Sequence, residues 1–374
     1  MSDDEADLEL LAFLRQSLGL EKTNKTQPLS QSTRVLESAE WIYNNAIDVA
    51  ISSGGTKNAA EQIYNLMQQK SYSIGTWATH ELHPKLTKDN EEDTVNFIFT
   101  MNLLNFSFWS ELSEIERFAV EYRGERWTGY WSLVAALQRG LEEGYPITSP
   151  DFWQDRDACP DSVLEHIFRS ATNEPMPLLS DRISILRDAG DVLYHRFDCR
   201  PSNIVRQANG SAATLVNLLA ENFSNFRDVT YFQDRQVRLL KRAQILIADL
   251  WACFQGVSYG SFSDIDSLTM FADYRIPQML QSLNCLWYSP RLESKISRKE
   301  MLKSGEDLEV EIRGCSIWCV ELIRREILTK HPEAKDKVNA VLIDFFLYDT
   351  CKEMEIKGEM EEVLPHHRTR SIFY

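Results

Sequence analysis

The chain has 374 residues, 43% of them hydrophobic and 26% charged, so it can bury a large core and is expected to be globular. Forty Lys and Arg residues stand against 56 Asp and Glu residues, which gives a formal net charge of −16 at pH 7. Such a field repels phosphate polymers and removes the counterion release that most DNA and RNA binders use, so no polymeric nucleic acid is expected as a partner. A few local cations can still hold a small anionic metabolite.

The N-terminus and the cysteines bear on compartment and cofactors. The first ten residues, MSDDEADLEL, are acidic where a secretory signal is basic, and no apolar run approaches the roughly 20 residues of a membrane helix. We therefore expect a cytoplasmic protein, with the nucleus as a second option. The seven cysteines show no CxxC pair, so no disulfide framework, zinc site or other cofactor is expected. Cys315 and Cys319, one helical turn apart, are interpreted as core thiols.

Hydrophobic periodicity predicts a mainly helical chain after a short tail. Residues 1–33 combine an acidic start with the polar run TNKTQPLSQST, and we expect a mobile or disordered tail there. From residue 34 onward apolar side chains recur three and four apart, which indicates helices over 34–51 and 58–69. The glycine pair Gly54 and Gly55 is predicted to separate these two helices.

One segment carries a convincing β signal, RFAVEYRGERWTGYW at residues 117–131, where Phe118, Val120 and Tyr122 alternate before Gly124. It predicts one small hairpin on a helical body. Further helices are predicted over residues 131–142, 179–196, 211–222, 235–255, 277–286, 307–328 and 336–355. No fixed-period repeat and no long polar linker interrupts residues 34–374, so they are expected to form one domain.

The octad FADYRIPQ, residues 271–278, places Asp273 between aromatic residues and four residues before Pro277. A carboxylate there can serve as a pre-positioned catalytic group, with Phe271 and Tyr274 supplying ring surface on which a flat base stacks. The structural alternative is an aspartate at a helix start that is stabilised by the helix dipole and paired with Arg275. Taken alone, the octad favours this structural alternative.

The segment LIDFFLYD, residues 342–349, puts Asp344 and Asp349 into apolar, aromatic surroundings, where an unpaired charge costs several kcal/mol. On a helix the two carboxylates point about 140° apart, so they cannot grip one small group as a simple pair. They can border opposite edges of a planar ligand with Phe345 against its face. Alternatively, one of them caps a helix or pairs elsewhere.

Lys241 and His80 are two further candidates for ligand contacts. Lys241 opens an apolar helix and is either a surface lysine or a cation for a catalytic carboxylate or a substrate phosphate. His80 and His83 have HxxH spacing, but Pro84 and the missing third ligand argue against zinc, so one imidazole is expected to bind a ligand or to be structural. The common hydrolase, triphosphatase, dehydrogenase and metalloprotease motifs do not occur.

Taken together, these segments resemble the queuosine salvage protein family, the queuosine 5'-phosphate N-glycosylases. The matching segments run in family order across about nine tenths of the chain, and only about the first three dozen residues fall outside the resemblance. They are HELHP at 80–84, LNFSFWSE at 104–111, GYWSL at 129–133, RDVTYF at 227–232, KRAQILIADLW at 241–251, TMFADYRIPQ at 269–278, EIRGCSIWCVELIR at 311–324 and the LID and YD positions of 342–349.

The resemblance implies release of the 7-deazaguanine base queuine from queuosine 5'-phosphate, and a mainly helical fold similar to the helix-hairpin-helix DNA glycosylases. It implies that Asp273 is the catalytic carboxylate and that Lys241 lies near the reacting sugar or phosphate. The residues that it places in the base pocket are His80, Phe271, Asp344, Phe345 and Asp349. Animal members tend to carry tyrosine where this chain has Phe345, so the ring can stack but a hydroxyl contact is lost.

Two other functions compete with this hypothesis. A DNA-glycosylase-like base-excision enzyme would share the fold and the base pocket, but it needs a basic duplex-binding face that a chain at −16 does not favour. In a non-enzymatic helical adaptor the aspartates would be structural and the aromatic segments would form a partner surface.

Overall fold

Helices form most of the ordered structure in the computed structural model of the protein, which describes residues 32–374 except for the side chains of Glu361 and Glu362. The mainly helical prediction is thereby confirmed. In chain order the α-helices of the described part are α1 (Val35–Asn45), α2 (Ser53–Gln69), α3 (Glu91–Leu104), α4 (Tyr130–Glu142), α5 (Pro150–Gln154), α6 (Asp161–Ile167), α7 (Leu179–Phe197), α8 (Pro201–Gln207), α9 (Ala212–Asn222), α10 (Lys241–Cys253), α11 (Arg275–Ser282), α12 (Pro290–Ser297), α13 (Asp307–Lys330) and α14 (Ala340–Ile356).

Six short strands within residues 32–374 form three antiparallel pairs. The strands are β1 (Val49–Ile51), β2 (Val120–Tyr122), β3 (Glu125–Trp127), β4 (Val229–Phe232), β5 (Arg235–Arg238) and β6 (Leu286–Tyr288). The predicted hairpin is β2–β3, but the prediction of one hairpin is wrong, because β4–β5 is a second. Its turn residues Gln233 and Asp234 both have positive φ, without the glycine that usually marks such a turn.

The third pair joins β1 to β6 with Ala50 opposite Trp287, which no local sequence pattern can predict. The helix predicted over 34–51 therefore ends at Asn45, because residues 49–51 form β1. The helix predicted over 235–255 begins only at Lys241, after β5, and the helix predicted over 277–286 spans Arg275–Ser282. Hydrophobic periodicity does not predict α3, because ten of its 14 residues are buried and no polar face remains.

The sequence predicts that Gly54 and Gly55 separate two helices, and this prediction is wrong. They lie in the first turn of α2, where the Ser52 hydroxyl accepts a hydrogen bond from the Gly55 N–H at 3.0 Å and caps the helix. An added Cβ at Gly55 would lie 2.0 Å from the backbone carbonyl oxygen of Asn284, so this glycine permits close packing.

The long helix α13 forms the centre of the core and packs against α1, α2, α11 and α14. Cys315 and Cys319 are fully buried in it, which confirms their interpretation as core thiols. The predicted tail, residues 1–33, lies outside the described residues except for Ser32 and Thr33. No helix within residues 32–374 is both long and apolar enough to span a bilayer.

The adjacent glycines of α2 allow a matched test of this packing. We expect Gly55→Ala to lower the free energy of unfolding by about 1–3 kcal/mol or more, because the new methyl group meets backbone rather than a flexible side chain. Gly54→Ala has nothing within 4 Å of its Cβ and should raise stability by about 0.5–1 kcal/mol. Urea unfolding of both variants measures the difference, and equal stabilities would contradict the close approach.

Candidate active site

A cavity of about 770 Å³ lies beside α10 and α14, within the range of volumes typical of small-molecule sites. Its other walls come from the segment after α3, the start of α4 and the loop before α11. All seven residues that the sequence singles out line it: His80, Lys241, Phe271, Asp273, Asp344, Phe345 and Asp349. The structure thus brings together residues that are up to 269 positions apart in sequence, the separation of His80 from Asp349.

Asp273 is held by backbone rather than by an arginine. Its Oδ1 accepts hydrogen bonds from the N–H groups of Arg275 and Ile276, both at 2.9 Å, at the N-terminus of α11. The guanidinium of Arg275 instead forms an ion pair with Glu355, so the pairing considered from the sequence is absent. The Oδ2 atom of Asp273 makes no hydrogen bond with any described residue, and the side chain lines the cavity.

Lys241 supplies an unpaired ammonium group to the same cavity. It is the first residue of α10 and is only 7% exposed, yet its Nζ has no hydrogen bond or ion pair with any residue of the described chain. The other lysine and arginine side chains at the cavity have partners: Arg117, Arg126, Arg275 and Lys352. An ammonium in this state can receive an anionic group of a ligand.

Burial dominates the electrostatics of the cavity. It raises the pKa of Asp273, an effect that the Lys241 charge opposes, and it lowers the pKa of Lys241, which the Asp273 charge opposes in turn. Burial raises the pKa of Asp344 well above its usual value, and the neighbouring Asp273 charge raises it further. Two carboxylates and one ammonium therefore interact in a shared apolar space.

Rings and hydrogen bonds define the far side of the cavity. The Phe271 and Phe345 rings are 6.0 Å apart between centroids and tilted by 55°, which leaves ring surface facing the cavity. Asp349 Oδ2 accepts a hydrogen bond from the Tyr72 hydroxyl at 2.6 Å, and burial raises its pKa. Tyr72 follows α2 directly and carries no sequence signal that would mark it as a site residue.

An aromatic wall surrounds His80. Its ring stacks on Trp131 with centroids 3.3 Å apart and planes at 10°, while His83 stacks on Trp77 at 3.7 Å and 14°. The Nδ1–H of His83 donates to the Trp77 carbonyl at 2.7 Å, and its Nε2 accepts from the Tyr130 hydroxyl at 2.9 Å. Burial lowers the pKa of His83 to about 3, so this imidazole is neutral and structural.

Asp249 fixes the same wall from behind. Its two oxygens accept hydrogen bonds from the Trp77 indole N–H at 2.9 Å and from the Asn102 amide at 2.8 Å. Burial raises its pKa to about 7. Asp249 lies two turns after Lys241 on α10, and this spacing can be read from the sequence. The sequence does not indicate that Trp77 is its hydrogen-bond partner.

Arg313 of α13 ties the two sides of the cavity together. Its Nη1 and Nη2 donate to the two oxygens of Asp228 at 3.2 and 2.5 Å, and its Nε donates to the carbonyl of Ala272 at 2.9 Å. Asp228 Oδ2 also accepts the backbone N–H of Lys241 at 3.3 Å. One buried guanidinium therefore positions both the residue before Asp273 and the first residue of α10.

This arrangement defines an enzyme-type site for a flat, polar ligand: ring surfaces, a carboxylate with one oxygen open to the cavity, and an unpaired ammonium beside it. No cluster of three or more His, Cys, Asp or Glu side chains within residues 32–374 is arranged to hold a metal ion.

Comparison with known proteins shows the family of the chain. The family model of the queuosine salvage protein matches residues 82–374. The queuosine 5'-phosphate N-glycosylase/hydrolase of Schizosaccharomyces pombe is 43% identical over 354 residues, which cover 91% of this chain and 100% of that protein. The Bos taurus protein of the same name is 43% identical over 345 residues, 90% of this chain and 98% of its own length. The Sphaerobacter thermophilus protein of that name is 36% identical over 348 residues, 92% and 97% respectively. The chain belongs to the queuosine salvage protein family.

Removal of the Arg313 guanidinium tests how the site is held. We expect Arg313→Met to lower the free energy of unfolding by about 3–5 kcal/mol, because Asp228 and Glu309 would remain buried without their cation. Arg325→Met is the control on the same helix: its side chain is 50% exposed and pairs with Glu321, so a change of about 1 kcal/mol or less is expected. Urea unfolding measures both variants. Similar losses in the free energy of unfolding would show that the buried Arg313 stabilises the chain no more than an exposed arginine does.

Proposed function

We propose that this chain is an N-glycosyl hydrolase that cleaves the N-glycosidic bond of queuosine 5'-phosphate and releases the base queuine for salvage into tRNA modification. Membership of the family and the names of three relatives that match about the whole chain support this substrate. The observation that carries the chemistry is Asp273, with one oxygen held by two backbone N–H groups and the other open to the cavity beside Lys241.

Asp273 acts on the sugar. Breaking an N-ribosidic bond builds positive charge on the anomeric carbon and the ring oxygen, and a fixed carboxylate stabilises that charge or attacks to form a short-lived ester. The two N–H groups of α11 hold the carboxylate in place before the reaction, so no reorganisation is needed when the charge develops.

The base binds against the aromatic rings of the cavity. The Phe345 ring lies against its face, Phe271 and His80 line the same pocket, and Asp344 and Asp349 reach its polar groups. An ionised carboxylate only accepts hydrogen bonds, so Asp349 suits the N–H groups, the secondary amine or the diol of queuine. Lys241 lies on the sugar side and binds the 5'-phosphate, since its ammonium has no partner in the described chain.

The remaining features of the proposal concern the whole chain. Residues 34–374 act as one catalytic domain whose helices are arranged similarly to those of helix-hairpin-helix DNA glycosylases. The net charge of −16 supports a small nucleotide rather than polymeric nucleic acid as the substrate. The proposed location is the cytoplasm.

Release of free base tests the function directly. Purified chain is expected to release queuine from queuosine 5'-phosphate and no base from guanosine 5'-phosphate, as followed by chromatography. Asp273→Asn keeps the shape and removes the charge, so we expect turnover to fall on the order of 10³-fold or more with binding largely retained.

Asp266→Asn is the matched control for that variant, because Asp266 is an exposed aspartate. It should keep the activity of the unchanged chain. Near-normal turnover of Asp273→Asn would remove Asp273 from the mechanism, and failure of the unchanged chain to release queuine would refute the function itself.

Lys241→Met tests the phosphate contact. We expect kcat/KM for queuosine 5'-phosphate to fall about 10- to 100-fold relative to kcat/KM for queuosine, the size of a lost charge-assisted hydrogen bond. The ratio cancels any effect on Asp273 that both substrates share. Lys352→Met is the control, since its ammonium already pairs with Glu355 at 2.7 Å and the ratio should not change. An unchanged ratio for Lys241→Met would place the phosphate elsewhere.

A further inference from the structure

Asp273 and Asp344 are linked through a single residue. The backbone N–H of Phe271 donates to Asp344 Oδ2 at 2.9 Å, and the carbonyl of Phe271 accepts the N–H of Asp273 at 2.7 Å. The two carboxylates therefore lie next to each other on the same cavity although they come from different elements, Asp273 from the loop before α11 and Asp344 from α14.

The two carboxylates have unequal partners. Asp273 receives two backbone N–H groups and keeps part of its surface exposed, whereas Asp344 receives one and is only 5% exposed. Asp344 Oδ1 makes no hydrogen bond with any described residue. The environment thus stabilises a negative charge on Asp273 more than on Asp344.

The surrounding groups do not supply a second cation. Arg275 is committed to Glu355, which leaves the Lys241 ammonium as the unpaired positive charge that acts on both carboxylates. The groups that face the pair are Lys241 from α10, Arg275 from α11, Tyr274 from the loop before α11, Tyr72 after α2, and Tyr348, Asp349 and Cys351 from α14. Two buried carboxylates beside one ammonium are balanced by one shared proton.

We propose that Asp344 is a second catalytic residue: it holds that proton and donates it from Oδ1 to the departing base, while Asp273 remains ionised beneath the sugar. The proposal rests on the proposed function. Queuine needs such an acid, because its five-membered ring has carbon at the position where guanine carries the nitrogen that usually takes the proton. The direction of the pKa shifts agrees, since burial and the Asp273 charge raise the pKa of Asp344 well above its usual value.

The step balances without any further reactant. The bond between the anomeric carbon and the base nitrogen breaks, and its electron pair goes to the base. The O–H bond of Asp344 breaks, and its proton forms an N–H bond on the base, which leaves as neutral queuine. Water then bonds through oxygen to the anomeric carbon and gives one proton to the carboxylate pair. The pair holds one proton before the reaction and one after it.

The dependence of single-turnover base release on pH tests this role. In the unchanged chain the rate should fall as pH drops through the pKa of Asp273, which must be ionised, and as pH rises through the raised pKa of Asp344, which must be protonated. In Asp344→Asn, with enzyme at a saturating concentration so that deprotonation of Lys241 does not limit binding, we expect a rate about 10²- to 10⁴-fold lower and no fall at high pH, because the titrating acid is gone. Queuosine 5'-phosphate binding, measured by calorimetry, should remain and shows that the variant is folded.

Asp349→Asn is the matched control on the same helix. It removes the other base-side carboxylate, so KM should rise while the fall at high pH persists. A high-pH fall that persists in Asp344→Asn, or that is missing from the unchanged chain, would overturn the acid role while leaving the hydrolase function intact. The pH profile of the unchanged chain needs no variant, so it tests the acid role even if Asp344→Asn does not fold. A chain that releases no queuine at all would overturn both.

Discussion

The site depends on the hydrogen bonds and the ion pair that the buried guanidinium of Arg313 makes. Its five N–H donors form a planar fork, and here the fork spans a carboxylate, Asp228, and a backbone carbonyl, that of Ala272. Because Asp228 also accepts the N–H of Lys241, the loop that carries Asp273 and the helix that carries the unpaired ammonium share one anchor. A lysine at position 313 would keep the charge but not this geometry. The site is therefore built on the core helix α13, although α13 contributes no side chain to the cavity wall.

The same anchor explains how charged groups persist in an apolar cavity. An isolated buried carboxylate is neutralised rather than ionised, so each charge here needs its own compensation. Asp273 receives two N–H groups from α11, and the Lys241 charge acts on Asp273 and Asp344 without forming an ion pair with either. Such spacing keeps Lys241 from neutralising Asp273 by direct contact. It also leaves Lys241 able to meet an anion that enters from outside.

The sequence predicts which residues belong to this site better than it predicts how they are arranged. Asp273, Asp344 and Asp349 stand out because charges are rare in aromatic, apolar segments, and the resemblance to a family assembles them with His80 and Lys241. Nothing local reveals that Tyr72 holds Asp349 or that Arg313 holds the loop before Asp273, because these are contacts between distant elements. The fold shows the same limit. Periodicity finds the amphipathic helices, but it misses the buried helix α3, the glycine-free turn of β4–β5 and the distant pairing of β1 with β6.

The wall formed by residues 105–110 is supported from behind by two buried cations. Arg182 and Arg242 are almost fully buried behind it, and neither pairs with a described carboxylate. Both guanidiniums lie over the Phe106 ring, at 4.1 and 4.7 Å, and donate to carbonyls at the C-terminal end of α3, where the helix dipole is negative. Helix-end carbonyls therefore supply the negative charge that compensates these two cations, and Asp273, Asp344 and Asp349 take no part in it.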